Sequence, residues 1–234
     1  MRYGNMELES PVAVTGFPSS GLVSSIAANY FVSQKKMQVV AGLSGEDMPP
    51  YCYIYNGSAY PPIRIYGYKS RRKNGKDMVV CLSEYAPKPE QCYAISGTLL
   101  EYFRSLGVSE LICLEGIPRI FEEDKVFACG SGPGARGMLK KSRLPIMDNC
   151  MVKGITGVML YDGPQYGIDV MAILVPGNQS IPDPKSAAGF LDPVSKLVTG
   201  FKVDGSALLK EAEEINRRIQ VHDDSGTDNT AIYG

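Results

Sequence analysis

Pro11-Val-Ala-Val-Thr-Gly16-Phe-Pro-Ser-Ser-Gly21-Leu-Val-Ser-Ser-Ile-Ala-Ala-Asn-Tyr-Phe-Val32 places an apolar run, a glycine-containing turn and a helix-forming run in immediate succession. It reads as a short buried strand over 11–15, a turn over 16–21 and a helix over 22–32. Leu22, Ile26, Asn29 and Tyr30 fall near one face of that helix, and Ser24, Ser25, Ala27 and Ala28 are small enough for close packing. Ser19 or Ser20 is the expected N-cap. A strand, a turn and a helix N-terminus either cross tightly over a sheet or cradle an anion on Gly16, Ser19, Ser20 and Gly21. The stretch lacks both the Lys-Ser/Thr ending of a Walker loop and the GxGxxG spacing of a dinucleotide loop. Both readings stand at this point.

The rest of the chain repeats the alternation. Gln38-Val-Val-Ala-Gly-Leu43 reads as a strand, and the runs 48–55 and 61–68 around Asn56-Gly57 read as a hairpin. The basic cluster 69–76 reads as a solvated hairpin tip at Asn74-Gly75, since no aromatic residue interleaves with its charges. A strand over 77–83 precedes a helix over 89–106, stopped by Gly107 at the C′ position. Strands are expected at 110–116, 125–129 and 169–175, and a helix of small residues at 154–161. The glycine-dense run 130–137 reads as a mobile loop. Asp183 and Pro184 open a helix expected to run to about Thr199. Asp204 opens a last one, with Leu208, Leu209, Ala212, Ile215 and Ile219 as its apolar stripe. The expectation is a single α/β domain over residues 1–221 and a flexible tail over 222–234.

A chain of 234 residues with 44% hydrophobic residues can bury a large core, and a formal net charge of −1 gives no general attraction to nucleic acid or acidic membranes. No apolar run is long enough to cross a membrane, and the N-terminus lacks a signal-peptide core, so a soluble cytoplasmic protein is expected. The six cysteines contain no CxxC pair. His222 is the sole histidine and lies in the tail, which leaves the body without Ser-His-Asp or Cys-His nucleophile chemistry and without a histidine metal site. No cofactor is expected.

Two glutamates, Glu84 and Glu115, end apolar strands, so both are placed at the carboxyl edge of a parallel sheet, where α/β ligand crevices form. They read either as an acid/base pair or as acceptors for nearby backbone N–H groups. Tyr51, Tyr53, Tyr55, Tyr60, Tyr66 and Tyr68 crowd one region, either as the wet edges of strands or as a subunit contact.

The chain ends in Ile232-Tyr233-Gly234 after the polar run His222-Asp-Asp-Ser-Gly-Thr-Asp-Asn-Thr-Ala231. That run has no hydrophobic periodicity and reads as a tether. Extended, it reaches roughly 35 Å. An aliphatic, a phenol and a free carboxylate on a tether make a short peptide ligand for a carboxylate-capturing socket.

Taken together, these segments resemble the archaeal members of the PAC2 family of proteasome assembly chaperones. The resemblance lies in 16–30, Asn56-Gly57 with Pro61-Pro-Ile-Arg-Ile-Tyr66, Leu82-Ser-Glu84, Leu114-Glu-Gly-Ile-Pro118, Gly154-Ile-Thr-Gly157, Leu174-Val-Pro176, Pro182-Asp-Pro184 and Glu211-Ala-Glu-Glu-Ile215. It implies an αβα sandwich similar to the purine nucleoside phosphorylases, oligomerisation, no enzymatic activity, and binding to 20S proteasome α-subunits. It also implies that Ile232 fills an apolar pocket, Tyr233 packs at its rim and the Gly234 carboxylate meets a lysine. The alternative is an enzyme of the phosphorylase-like fold, or an ATP-dependent one. There Gly16, Ser19, Ser20 and Gly21 would hold phosphate near Arg64 and Asn178, with Glu84 or Glu115 as acid/base.

Overall fold

The computed structural model describes residues 1–4, 6–119 and 125–210. Its strands are β1 (Val12–Gly16), β2 (Gln38–Leu43), β3 (Tyr53–Tyr55), β4 (Ser58–Tyr60), β5 (Ile63–Tyr68), β6 (Met78–Ser83), β7 (Glu110–Pro118), β8 (Phe127–Gly130) and β9 (Asp169–Gly177). Its helices are α1 (Val23–Gln34), α2 (Pro89–Ser105), α3 (Arg136–Ser142), α4 (Gly154–Asp162), α5 (Pro184–Ala187) and α6 (Leu191–Leu197). Seven strands form one sheet in the order β2-β5-β6-β1-β7-β9-β8. The centre, β6-β1-β7-β9, is parallel, while β2, β5 and β8 are antiparallel to their neighbours.

Burial on both faces explains the near-continuous apolar strands. Along β1, Val12 and Val14 face one apolar layer and Ala13 the other. Along β7, Ile112 and Leu114 face the first, and Leu111 and Cys113 the second. The first layer packs under α1, α3, α5 and α6, and the second under α2 and α4. The expected αβα sandwich is therefore present. In α2 the core residues Cys92, Ile95, Leu99 and Phe103 recur at helical spacing. Its Gln91 accepts from Lys88 N–H at 2.8 Å, and Gly107 takes φ +75° just past its end.

The close approach of α1 to the sheet needs small residues on both sides. A Cβ on Gly16 would lie 2.4 Å from Ala28 Cβ and 2.6 Å from the Ser24 carbonyl oxygen. The buried face of α1 is thus carried by Val23, Ser24, Ala27, Ala28 and Phe31. Of the residues expected to share a face, Leu22 and Asn29 are exposed, Ile26 is half-buried and Tyr30 is buried. Neither Ser19 nor Ser20 caps α1: Leu22 precedes the helix at φ +52°, with no side-chain cap.

Three further elements differ from the sequence expectation. Asn56-Gly57 does turn a hairpin, with φ +49° and +74°, but its second strand is β4. Pro61-Pro62 ends that strand, and 63–68 enters the main sheet as β5 because Ile63 and Ile65 fit the second apolar layer. The run 130–137 is a short turn tied to β9, where Ser131 N–H donates to Val170 O at 2.8 Å and Val170 N–H to Ser131 Oγ at 3.0 Å. Residues 136–137 already belong to α3. The helix expected over 183–199 is broken into α5, a 3-10 turn (Ala188–Phe190) and α6. Asp183 caps α5 as expected, accepting from Ser186 N–H at 3.0 Å.

Candidate functional sites

The turn over 16–22 lies against the carboxyl ends of β7 and β9. Ser19 Oγ is 2.6 Å from Ser24 Oγ and accepts from Gly116 N–H at 3.0 Å. Added Cβ atoms on Gly116 and Gly177 would lie 2.6 and 2.5 Å from the Ser20 carbonyl oxygen. Gly21, at φ +63°, accepts from Asp183 N–H at 2.8 Å, and the Asn178 backbone abuts it. Gly16, Ser19, Ser20, Gly21 and Asn178 are thus brought together, in a close-packed crossing whose inner side is filled by protein. Its outer side borders an open cleft of about 440 Å³, whose lining also includes Pro118, Gln179 and Ile181 and, among the described residues, no charged side chain.

Glu84 and Glu115 fall on opposite faces of the sheet. Glu84 follows β6 in the phase of Leu82, which faces the first layer, and Glu115 follows Cys113, which faces the second. Glu115 Oε2 accepts from Thr156 Oγ1 of α4 at 2.6 Å, and burial pushes its carboxyl up to about 7 against that hydrogen bond.

Arg64 is only 5% exposed. Its guanidinium donates to Glu84 Oε1 at 2.5 Å, Tyr66 Oη at 2.9 Å and Pro61 O at 3.3 Å, and lies 4.4 Å from the Tyr53 ring centre. Desolvation opposes the charge, but Tyr66 and Glu84 outweigh it and keep Arg64 cationic. The group lies in a cleft of about 900 Å³ between the β3–β4 hairpin and α1, lined also by Tyr3, Tyr55 and Tyr60. Burial raises the Tyr51 and Tyr53 phenols, and the nearby Glu84 carboxylate raises them further. Arg64 and Glu84 neutralise each other, and beside the phenol groups and ring faces the cleft is lined by Lys36 and the amides of Asn29, Gln38 and Asn56. Hairpin residues Ile54 and Tyr55 are 67% and 65% exposed beside it. Tyr68 lies apart, edge-on to Phe201 at 6.1 Å.

The sequence singles out Tyr53 and Tyr66 only as strand-edge or contact tyrosines, not as partners of Arg64, and it does not show Thr156 as the partner of Glu115. The available signal was a lone arginine inside an apolar strand, which requires buried partners. Among the described residues no cluster of His, Cys, Asp or Glu is placed to hold a metal, and no helix is long and apolar enough to cross a membrane. Ile232, Tyr233 and Gly234 lie outside the described residues, as do Ala212, Ile215 and Ile219. The described chain leads toward them from an anchored point. Tyr30 Oη donates to Asp204 O, Lys35 Nζ donates to Lys202 O, and Leu208 is buried in the first layer.

A profile of the PAC2 family matches residues 13–222. An uncharacterized protein of Methanocaldococcus jannaschii is 25% identical over 215 residues, covering 92% of this chain and 86% of that protein. The fold is similar to that of Pyrococcus furiosus PbaA, described as an archaeal homolog of proteasome-assembly chaperone. The TM-score is 0.83 at 24% identity, covering 94% of this chain and 90% of that one. It is also similar to P. furiosus PbaB, described as an archaeal proteasome activator, with a TM-score of 0.82 at 20% identity over 95% and 97% of the two chains.

Proposed function

The chain belongs to the PAC2 family, and from that premise we propose that it is a non-enzymatic proteasome factor, an assembly chaperone or activator-like protein. In this reading a soluble, cytoplasmic homo-oligomer inserts Ile232-Tyr233-Gly234 into pockets between 20S proteasome α-subunits. The observation that carries it is the family match across nearly the whole body, joined to a terminus with the chemistry of a captured peptide. Support for a proteasomal partner comes from P. furiosus PbaA, an archaeal homolog of proteasome-assembly chaperone, and PbaB, an archaeal proteasome activator, whose folds this chain shares.

Ile232 supplies apolar burial, Tyr233 a ring and a hydroxyl, and Gly234 the carboxylate for a lysine of the ring. One such tail binds weakly, because few atoms are buried and the tether must be ordered. Several tails on one oligomer raise the effective concentration wherever their spacing fits the ring. Earlier in the chain, Asp204 and Leu208 are anchored beside α1.

Native mass spectrometry of the full chain mixed with 20S α-subunits tests this reading. Parent protein is expected to bind, while Tyr233→Ala and a chain ending at Ala231 lose the complex and keep the parent's melting temperature. Equal binding by parent and both variants overturns tail docking. No binding by any of them overturns the proteasomal role.

A further inference from the structure

The cleft between the β3–β4 hairpin and α1 combines ring faces with hydroxyl groups that the fold does not use. Tyr3 is held on the edge of β2, where its N–H donates to Val40 O at 2.9 Å, and its ring stands edge-on to Tyr60 at 5.3 Å. The Tyr53 ring lies against the Arg64 guanidinium, 4.4 Å from the ring centre. Tyr66 Oη accepts from Arg64 Nε at 2.9 Å, which leaves its own proton for another acceptor. Burial keeps that phenol protonated. Among the described residues, the Tyr53, Tyr55 and Tyr60 hydroxyls have no hydrogen-bond partner. Arg64 itself is engaged by Glu84, Tyr66 and Pro61.

Lys36, also on the lining, is not engaged in this way. It stands just past α1 at φ +48°, is exposed, and forms no ion pair among the described residues. The described lining therefore offers flat apolar faces, hydroxyl donors and one uncompensated positive charge. A volume of about 900 Å³ lies at the upper end of the range for ligand sites and suits a short chain segment.

We propose that this cleft is a docking site for an extended, proline-rich segment of a partner protein, with an acidic residue flanking the prolines and meeting Lys36. Proline rings lie flat on tyrosine faces, as in the aromatic-lined grooves that recognise polyproline II segments. In that conformation the backbone carbonyls have no internal partner, so they are acceptors for the phenols of Tyr53, Tyr55, Tyr60 and Tyr66. Proline also lacks the N–H, so the segment brings no backbone donor to be left unpaired. Its restricted backbone loses little entropy on binding. The Lys36 charge sets the flank, attracting a carboxylate and repelling a lysine. The hairpin supplies the outer wall, where Ile54 and Tyr55 are exposed. The site lies in the described body and does not depend on the terminal tail or on the proteasomal reading.

The full chain is titrated by isothermal calorimetry with an acetylated, amidated hexaproline peptide flanked by glutamates. The comparison ligands are the same peptide flanked by lysines, a glycine-serine peptide of equal length flanked by glutamates, and maltohexaose. Expected is saturable binding of the glutamate-flanked proline peptide, weaker binding of the lysine-flanked one and no binding of the other two. Tyr55→Ala, at an exposed ring, and Tyr60→Phe, which removes only a hydroxyl, each weaken binding about two- to tenfold and leave the melting temperature unchanged. Lys36→Glu reverses the preference between the two flanks. A chain ending at Ala231 binds as the parent does, which separates this site from tail docking. No binding of the proline peptide overturns the proposal, as does equal binding of the glycine-serine peptide or binding of maltohexaose in its place. If sedimentation shows that Tyr55→Ala dissociates an oligomer while the parent ignores the proline peptide, the cleft is a subunit contact and the proposal falls.

Discussion

Thr156 Oγ1 donates a 2.6 Å hydrogen bond to Glu115 Oε2 in the layer between the sheet and α4. This bond favours the charged carboxylate, but burial is the larger influence and leaves the carboxyl titrating near pH 7, at about 7. Since an unfolded glutamate titrates near 4.3, the folded state binds the extra proton between about 4.3 and about 7. Stability is therefore greatest below that window and falls as pH rises through it, by on the order of 2–4 kcal/mol. Glu115→Gln keeps an acceptor for Thr156 and removes the charge. Its urea midpoint should exceed the parent's at pH 8 and vary less from pH 4.5 to 8. A parent whose stability does not decline across that range contradicts this account.

Removing Glu84 leaves the guanidinium of Arg64 with Tyr66, Pro61 and the Tyr53 ring but no counter-charge. The carboxylate side chain is 33% exposed, so the loss is discounted below that of a fully buried pair. Glu84→Ala is expected to destabilise by about 1–3 kcal/mol in urea unfolding. Arg64→Met, an apolar replacement of similar length, should be milder, because Glu84 can turn to solvent. A larger loss for Arg64→Met than for Glu84→Ala reverses the argument.

Gly116→Ala tests the crossing of the 16–22 turn over β7. The added methyl would meet Ser19 Oγ at 2.5 Å, the Ser20 carbonyl oxygen at 2.6 Å and Val23 Cγ2 at 2.6 Å. A backbone oxygen cannot swing aside as a side chain can, so about 1–3 kcal/mol of destabilisation is expected. Gly137→Ala, whose Cβ meets nothing within 4 Å, is the control and should be neutral or slightly stabilising within α3. Equal melting temperatures for the two variants count against the close packing described.

Asp77, 4% exposed, ties down the loop between β5 and β6. It accepts from Glu9 N–H at 2.7 Å and Ser70 N–H at 2.9 Å and pairs with Lys69 Nζ at 2.9 Å. Burial works to raise its carboxyl, but the two amides and Lys69 together hold it below the usual carboxylate range. A lowered folded value means that the stabilisation is full above the unfolded value, about 3.9, and is lost as pH falls through the folded one. Asp77→Asn should cost about 1–3 kcal/mol at pH 7 and flatten the acid limb of the stability curve below about pH 4. An unchanged acid limb argues against Asp77 as its source.

The elements most legible in the sequence are those whose causes are local. Pro89 and Gly107 bracket α2 within two residues, because a proline and a left-handed glycine act on their own turns of helix. Asp183 and Pro184 likewise mark the start of α5, though not the break at Ala188–Phe190. The Asn56-Gly57 turn was visible, but its partner strand was not. Whether 63–68 joins a hairpin or the main sheet depends on where Ile63 and Ile65 find a core.

The sequence alone determined the α/β class and the family, since alternation, caps and composition express short-range preferences. The tertiary structure alone decided that Arg64 meets Glu84 and that Glu115 instead meets Thr156 on the opposite face. The reason is register. A side chain's face follows from its strand's phase against two helical layers, and that phase is set by pairing among residues far apart in the chain.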